Sequence, residues 1–127
     1  MYEKSFSNLI KNKRKALGWA ISELSRVSGI HPVTIHKIEN DKELSIKHCW
    51  TITKALDIPF KKELFVNLVK NKKTELGLSE KKLGQLAGVS YTVIYWLEKG
   101  KTPSTKSCYK IAKALDIKLD EIGSCFQ

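Results

Sequence analysis

Asn8-Leu9-Ile10-Lys11-Asn12-Lys13 returns as Asn67-Leu68-Val69-Lys70-Asn71-Lys72, and the shift between them, 67 − 8 = 59 residues, brings the rest of the chain into register with itself. Leu17-Gly18 falls on Leu76-Gly77, Leu24 on Leu83, Gly29-Ile30 on Gly88-Val89, Glu39 on Glu98 and Cys49 on Cys108. The run Lys54-Ala55-Leu56-Asp57-Ile58 falls on Lys113-Ala114-Leu115-Asp116-Ile117, and no gap is needed anywhere. A fixed period that carries apolar positions and glycines together marks a duplicated structural unit. Each copy has roughly 60 residues, near the lower end of what folds alone. The expected division is residues 1–63 and 64–127.

The apolar positions inside each copy recur at helical spacing. Phe6, Leu9, Ile10 and Leu17 predict a first helix that stops at Gly18, where a left-handed cap is easily formed. A second short helix is expected from about Ile21 to Ser28, with Leu24 and Val27 inward. After Gly29, His31 is placed to cap a third helix that opens at Pro32, a residue well tolerated at a first helical position, and carries Ile35 and Ile38 inward. Ser45 is the expected cap of a fourth, with Cys49, Ile52, Ala55 and Leu56 on its apolar side. The second copy repeats the pattern: Ser79 as cap, Leu83 and Leu86 inward, then Ser90 before Val93, Ile94 and Leu97, and Thr102-Pro103-Ser104 opening the next helix. No segment alternates at period two for long enough to predict a strand. Between the copies there is no Gly, Ser or Pro-rich linker. Pro59, Phe60, Leu64, Phe65, Leu68, Val69 and Leu76 instead continue an apolar face, which predicts a rigid helical junction of about 17 residues and about 25 Å at 1.5 Å per residue. The expected fold is all-α.

Charge narrows the function classes. The 127 residues hold 23 Lys and Arg against 13 Asp and Glu, a formal net charge of +10, and such an excess fits a polyanionic partner. Residues 1–63 carry 12 basic and 7 acidic side chains and residues 64–127 carry 11 and 6, so each half nets +5. No apolar run reaches the roughly 20 residues of a membrane span, and Met1-Tyr2-Glu3-Lys4-Ser5 has no signal-peptide core, so a cytoplasmic address is expected and no membrane. Cys49, Cys108 and Cys125 show no metal-ligand spacing and read as reduced thiols, with Cys125 alone expected to be exposed. His31 and His36 are too far apart along a helix to share a metal, and neither a phosphate loop nor a nucleophilic triad is present. No metal, no cofactor and no enzymatic activity are expected.

A short helix, a tight turn at Gly29-Ile30-His31 and a second short helix make a helix-turn-helix on spacing alone. The residues around it resemble the Cro and lambda-repressor-like (XRE) family. The resemblance rests on Leu76-Gly77, Gly88-Val89-Ser90, Ile94-Tyr95-Trp96-Leu97-Glu98-Lys99-Gly100 and Ala112-Lys113-Ala114-Leu115-Asp116-Ile117. The first copy matches at Leu17-Gly18, Gly29-Ile30, Ile35-His36-Lys37-Ile38-Glu39-Asn40 and Lys54-Ala55-Leu56-Asp57-Ile58. The resemblance implies two tandem five-helix units, each placing its third helix in the major groove of double-stranded DNA. Base-facing positions would be His31, Pro32, Val33, His36 and Lys37 in the first unit, and Ser90, Tyr91, Thr92, Tyr95 and Trp96 in the second. Phosphate contacts would fall to Asn40, Lys42, Lys99 and Lys101. The family's ion pair between helix 1 and the end of helix 3 would map to Arg14 with Glu39 and to Lys73 with Glu98.

The chain departs from the family pattern at the start of helix 2, where the usual Gln is replaced by Ile21 and Glu80. The front of each third helix also lacks Arg, Asn and Gln, the side chains that grip base edges with two hydrogen bonds. Of the basic residues only Arg14 and Arg26 are guanidinium groups, a balance suited to delocalised attraction to the phosphate backbone. The expected function is a DNA-binding, repressor-like transcriptional regulator. The alternative is a helix-turn-helix scaffold serving as an antitoxin, anti-repressor or adaptor, or forming a homodimer, through Tyr91, Tyr95 and Trp96 on one side of the helix that carries them.

Overall fold

The computed structural model describes residues 6–42 and 45–126, and among these it contains nine α-helices and no strand. The chain forms two compact units. One comprises the described residues of Met1–Phe60 together with those of Lys118–Gln127, and the other is Lys61–Ile117. The first compact unit runs to Phe60 and takes in Lys118–Phe126.

In the first unit, α1 (Phe6–Ala16) buries Phe6, Ile10 and Arg14, one residue per turn along a single stripe. The last turn closes at Gly18 through Trp19 N–H donating to the carbonyl of Arg14 at 3.1 Å. Helix α2 (Ile21–Ser28) has no capping side chain at Ala20, but Glu23 Oε1 accepts the Ala20 N–H at 3.0 Å and supplies half of the reciprocal arrangement. Gly29 ends it at φ +76, a left-handed conformation in which a side chain would be strained. Then α3 (Pro32–Glu39) turns Ile35, Ile38 and Glu39 inward. Its end is held by Asp41, which accepts a hydrogen bond from the buried Ser7 hydroxyl at 2.7 Å.

Helix α4 (Cys49–Ala55) begins four residues later than the expected cap at Ser45. Ser45 Oγ instead accepts from Lys47 N–H at 3.1 Å, so it closes a local turn ahead of the helix. The second unit keeps the cap at the matching serine: Ser104 Oγ accepts from Ser107 N–H at 3.1 Å and α8 (Thr105–Ala114) starts at once.

Helix α5 (Lys62–Glu75) is 14 residues long, about 21 Å at 1.5 Å per residue, and is the first helix of the second unit. Residues 58–61 are not helical, so the continuous helix expected from Pro59 starts only at Lys62. It buries Phe65, Val66 and Val69, whereas Leu64 and Leu76 of the expected apolar face are exposed. Helices α6 (Glu80–Ala87) and α7 (Tyr91–Glu98) match α2 and α3 residue for residue at the 59-residue shift. The expected inward positions Val27 and Leu86 are instead exposed in both copies, as is Leu17. These helices have two turns, and the single buried leucine of each, Leu24 and Leu83, fills the space beneath it.

Helix α9 (Leu119–Gly123) and the 3-10 turn Ser124–Phe126 complete the first unit. The fifth helix expected at the end of the second copy thus packs on α1: the Gly123 Cα faces Phe6, whose Cβ would lie only 3.3 Å from an added methyl. Phe126 enters an aromatic cluster, with ring centroids 6.2 Å from Phe6, 5.9 Å from Trp50 and 5.1 Å from Phe60. Cys125 goes in with it and is 1% exposed, contrary to the expectation for a residue so near the end of the sequence.

This partition redistributes the charge. The first unit holds 11 basic and 8 acidic side chains, a net +3, and the second 12 and 5, a net +7. The equal shares read from the halves of the sequence become a weakly and a strongly basic unit.

Candidate nucleic-acid interface

Helix α3 presents an outward face whose every member was expected to meet DNA. His31, Pro32, Val33, His36, Lys37 and Asn40 are all exposed, and Lys42 follows in the exposed turn beyond. Ile35 and Ile38 occupy the opposite face and are buried, so burial itself turns the polar face outward. His31 also has a structural task. Its Nδ1 accepts the Val33 N–H at 3.1 Å, satisfying one of the otherwise unpaired donors of the first turn and requiring the ring to be unprotonated at that atom. At the other end, Asn40 Nδ2 donates to the His36 carbonyl at 2.7 Å.

The end of α3 is anchored to α1. Arg14 Nε donates to Glu39 Oε2 at 2.6 Å, Arg14 Nη2 to Glu39 Oε1 at 2.9 Å, and Arg14 Nη1 to the Trp19 carbonyl at 2.6 Å. Both side chains are buried, and the planar guanidinium fork fits a carboxylate with two parallel bonds. The hydrogen bonds to Glu39 raise the Arg14 pKa further above its ordinary value, against the opposing effect of burial. The anchor fixes where α3 points and is itself buried.

Helix α7 is built on the same plan with different chemistry. Ser90 Oγ accepts the Thr92 N–H at 3.3 Å and lies 2.8 Å from Thr92 Oγ1. Lys73 Nζ donates to Glu98 Oε2 at 2.6 Å, giving one contact where Arg14 gives three. The outward face carries Tyr91, Tyr95 and Trp96, which are 55%, 41% and 47% exposed, so none of the three serves as core of its own unit. Tyr95 and Trp96 meet edge to face at 5.2 Å between centroids. Lys99 Nζ lies 5.3 Å from the Tyr95 ring centre and Lys101 Nζ 4.5 Å from that of Trp96.

All fourteen residues expected at the interface are therefore on the exposed surface, seven around each third helix, and both expected ion pairs form. Sequence reasoning missed a shallow recess of about 250 Å³ beside Trp96, lined by Val93, Lys101, Thr102 and Pro103. Its signal was Thr102-Pro103, a turn that brings apolar carbon back toward α7. Sequence reasoning also missed Gly84, whose Cα is so close to the start of α7 that an added methyl would lie 2.9 Å from the Val89 carbonyl oxygen. Among the described residues no helix is long and apolar enough to cross a membrane.

Two copies of a short helix, a glycine turn and a second helix, each braced on a preceding helix by an ion pair, define a helix-turn-helix protein. A family model described as helix-turn-helix matches residues 10–62 and again residues 69–122, and the chain belongs to this family, the XRE kind of DNA-binding domain used in transcription regulation, as a tandem duplication. The matched domains are of a DNA-binding family, not an enzyme family. Comparisons with curated proteins and with solved structures found no match.

Proposed function

We propose that the chain is a repressor-like transcriptional regulator that occupies duplex DNA with α3 of its first unit in the major groove. The observation that carries this reading is the outward face of α3, His31 to Lys42, held in place by the buried Arg14–Glu39 pair. Lys37 would reach guanine, the half-exposed Val33 would meet a thymine methyl, and Asn40 and Lys42 would hold phosphates. Bound at a promoter, the protein would block or guide polymerase.

Binding of this kind releases counterions, so the affinity for duplex DNA should fall with salt at a log–log slope of about −0.9 for each phosphate neutralised. Fluorescence anisotropy with a labelled duplex over a salt series tests it, and a flat response or no binding at low salt refutes it. Selection of bound duplexes from a random pool would then report the preferred site and the number of half-sites.

A further inference from the structure

We propose that the α7 face of the second unit is a stacking platform for the unpaired bases of single-stranded nucleic acid. The front of α7 is poorly equipped to read a duplex. Its aliphatic hydroxyls, on Ser90 and Thr92, are engaged with one another and with the Thr92 N–H. No side chain from Ser90 to Trp96 can grip a base edge with two hydrogen bonds, and edges are all that a paired, stacked base offers in the groove. What the face does offer is ring surface: Tyr91, Tyr95 and Trp96 project together, roughly half exposed, with an apolar recess beside Trp96. Unstacked bases bind to such rings whatever their sequence, since every base has a π face.

Charge selects the occupant. Lys99 and Lys101 each hold an ammonium over a ring, 5.3 and 4.5 Å from its centre, and a base that stacks on that face displaces the flexible ammonium toward its own phosphate. The single carboxylate of α7, Glu98, faces away and is held by Lys73 at 2.6 Å, so it does not offset them. The unit around this face carries 12 basic and 5 acidic side chains. A polyanion bearing aromatic bases matches both features at once.

The test uses the full-length protein and fluorescence anisotropy with four labelled probes: oligothymidine of about twelve nucleotides, oligouridine of equal length, an abasic oligomer with the same phosphates, and a mixed-sequence duplex. A base-bearing single strand should bind at least roughly tenfold more tightly than the abasic one, with the stronger of the two arms identifying DNA or RNA. Tyr95→Leu with Trp96→Leu should remove most of that advantage and cost the single strand far more than the duplex, whereas Trp96→Phe should keep it. Both positions are exposed, and circular dichroism would verify the fold. Equal binding of the abasic and base-bearing strands overturns the proposal, as does an unchanged single-strand affinity in the double variant. A parallel loss on duplex and single strand overturns it in favour of major-groove reading by α7. Unchanged single-strand affinity in the double variant together with a lower mass in light scattering overturns it in favour of a second copy of the chain on this face. Duplex binding through α3 stands or falls separately, on the salt series with the duplex probe.

Discussion

Arg14 and Glu39 lie 25 residues apart and are joined by two hydrogen bonds, at 2.6 and 2.9 Å, in the interior of the first unit. At the same place in the second unit, Lys73 and Glu98 share one bond of 2.6 Å and are more open to water, with side chains 16% and 14% exposed against 10% and 3% for the first pair. Removing one partner of a buried pair leaves the other charged and desolvated, which costs much more than breaking an accessible one. Glu39→Ala should therefore destabilise the protein by about 3 kcal/mol and Glu98→Ala by about 1 kcal/mol. Urea denaturation followed by circular dichroism reads both, and equal losses would show that the guanidinium fork adds nothing.

The end of the sequence should matter most to the unit at its beginning. Phe126 is 1% exposed and fills the space between Phe6, Trp50 and Phe60, so Phe126→Ala should cost about 3 kcal/mol or more. Thiol alkylation localises the damage. Burial raises all three cysteines, Cys49 most, Cys108 up to about 12 and Cys125 up to about 11. The thiolate is the reactive form, so at pH 8 the native protein should react slowly at every thiol and quickly only after denaturation. In Phe126→Ala, Cys49 and Cys125 should gain reactivity while Cys108 of the second unit stays protected. Mass spectrometry of the alkylated peptides decides it, and faster reaction at Cys108 would contradict the partition.

Why some of this was legible beforehand and some not follows from the range of the forces involved. The helices, glycine turns and serine caps of the second unit are set by neighbours within four residues, and there the 59-residue period carried each element to its place. The ion pairs were legible because the family pattern ties helix 1 to the end of helix 3. The return of residues 118–126 to the first unit depends on which aromatic cluster Phe126 can fill, a contact with Phe6 spanning nearly the whole chain, and no local pattern encodes it. The same blindness misplaced Val27 and Leu86, since helical periodicity says which side is apolar but not whether another layer covers it. At the interface, periodicity identified the outward faces of α3 and α7. The cap at His31 was legible from its place just before Pro32, and the ring supplies it by accepting the Val33 N–H at 3.1 Å.

Gly84 makes the second unit less tolerant than the first. Its counterpart at the 59-residue shift is Ser25, so the first unit accommodates a side chain between α2 and α3 where the second has none. A Cβ at Gly84 would meet the Val89 carbonyl oxygen at 2.9 Å and the Tyr91 backbone at 3.2 Å, contacts with main chain that only a shift of α7 can relieve. Gly84→Ser is expected to destabilise the protein by about 1–3 kcal/mol, in the range typical of overpacking, although serine suits a helix better than glycine. Ser25→Gly should cost no more than about 1 kcal/mol, through backbone entropy. Thermal melts of both variants check the order, and a stabilised Gly84→Ser would mean that α6 and α7 have room to separate.

Lys37 and Lys42 allow reading to be separated from holding on. Lys37 lies on the outward face of α3, in its last turn, and is proposed to reach a base edge, whereas Lys42 follows the helix, with its N–H donating back to the Lys37 carbonyl at 2.8 Å. A base contact adds affinity only at the right sequence, and a phosphate contact adds it everywhere. Lys37→Ala should then weaken the preferred duplex by about 1–3 kcal/mol and leave random duplex nearly unchanged. Lys42→Ala should weaken both alike and lower the salt slope by about one phosphate. Both are exposed, and among the described residues the ion pair that holds α3 joins Arg14 and Glu39, so folding should not confuse the comparison. Competition binding of each variant against selected and random duplexes at two salt concentrations is the measurement. Equal losses on both duplexes for Lys37→Ala would remove it from the reading face and leave α3 as a helix that only positions the protein on the phosphate backbone.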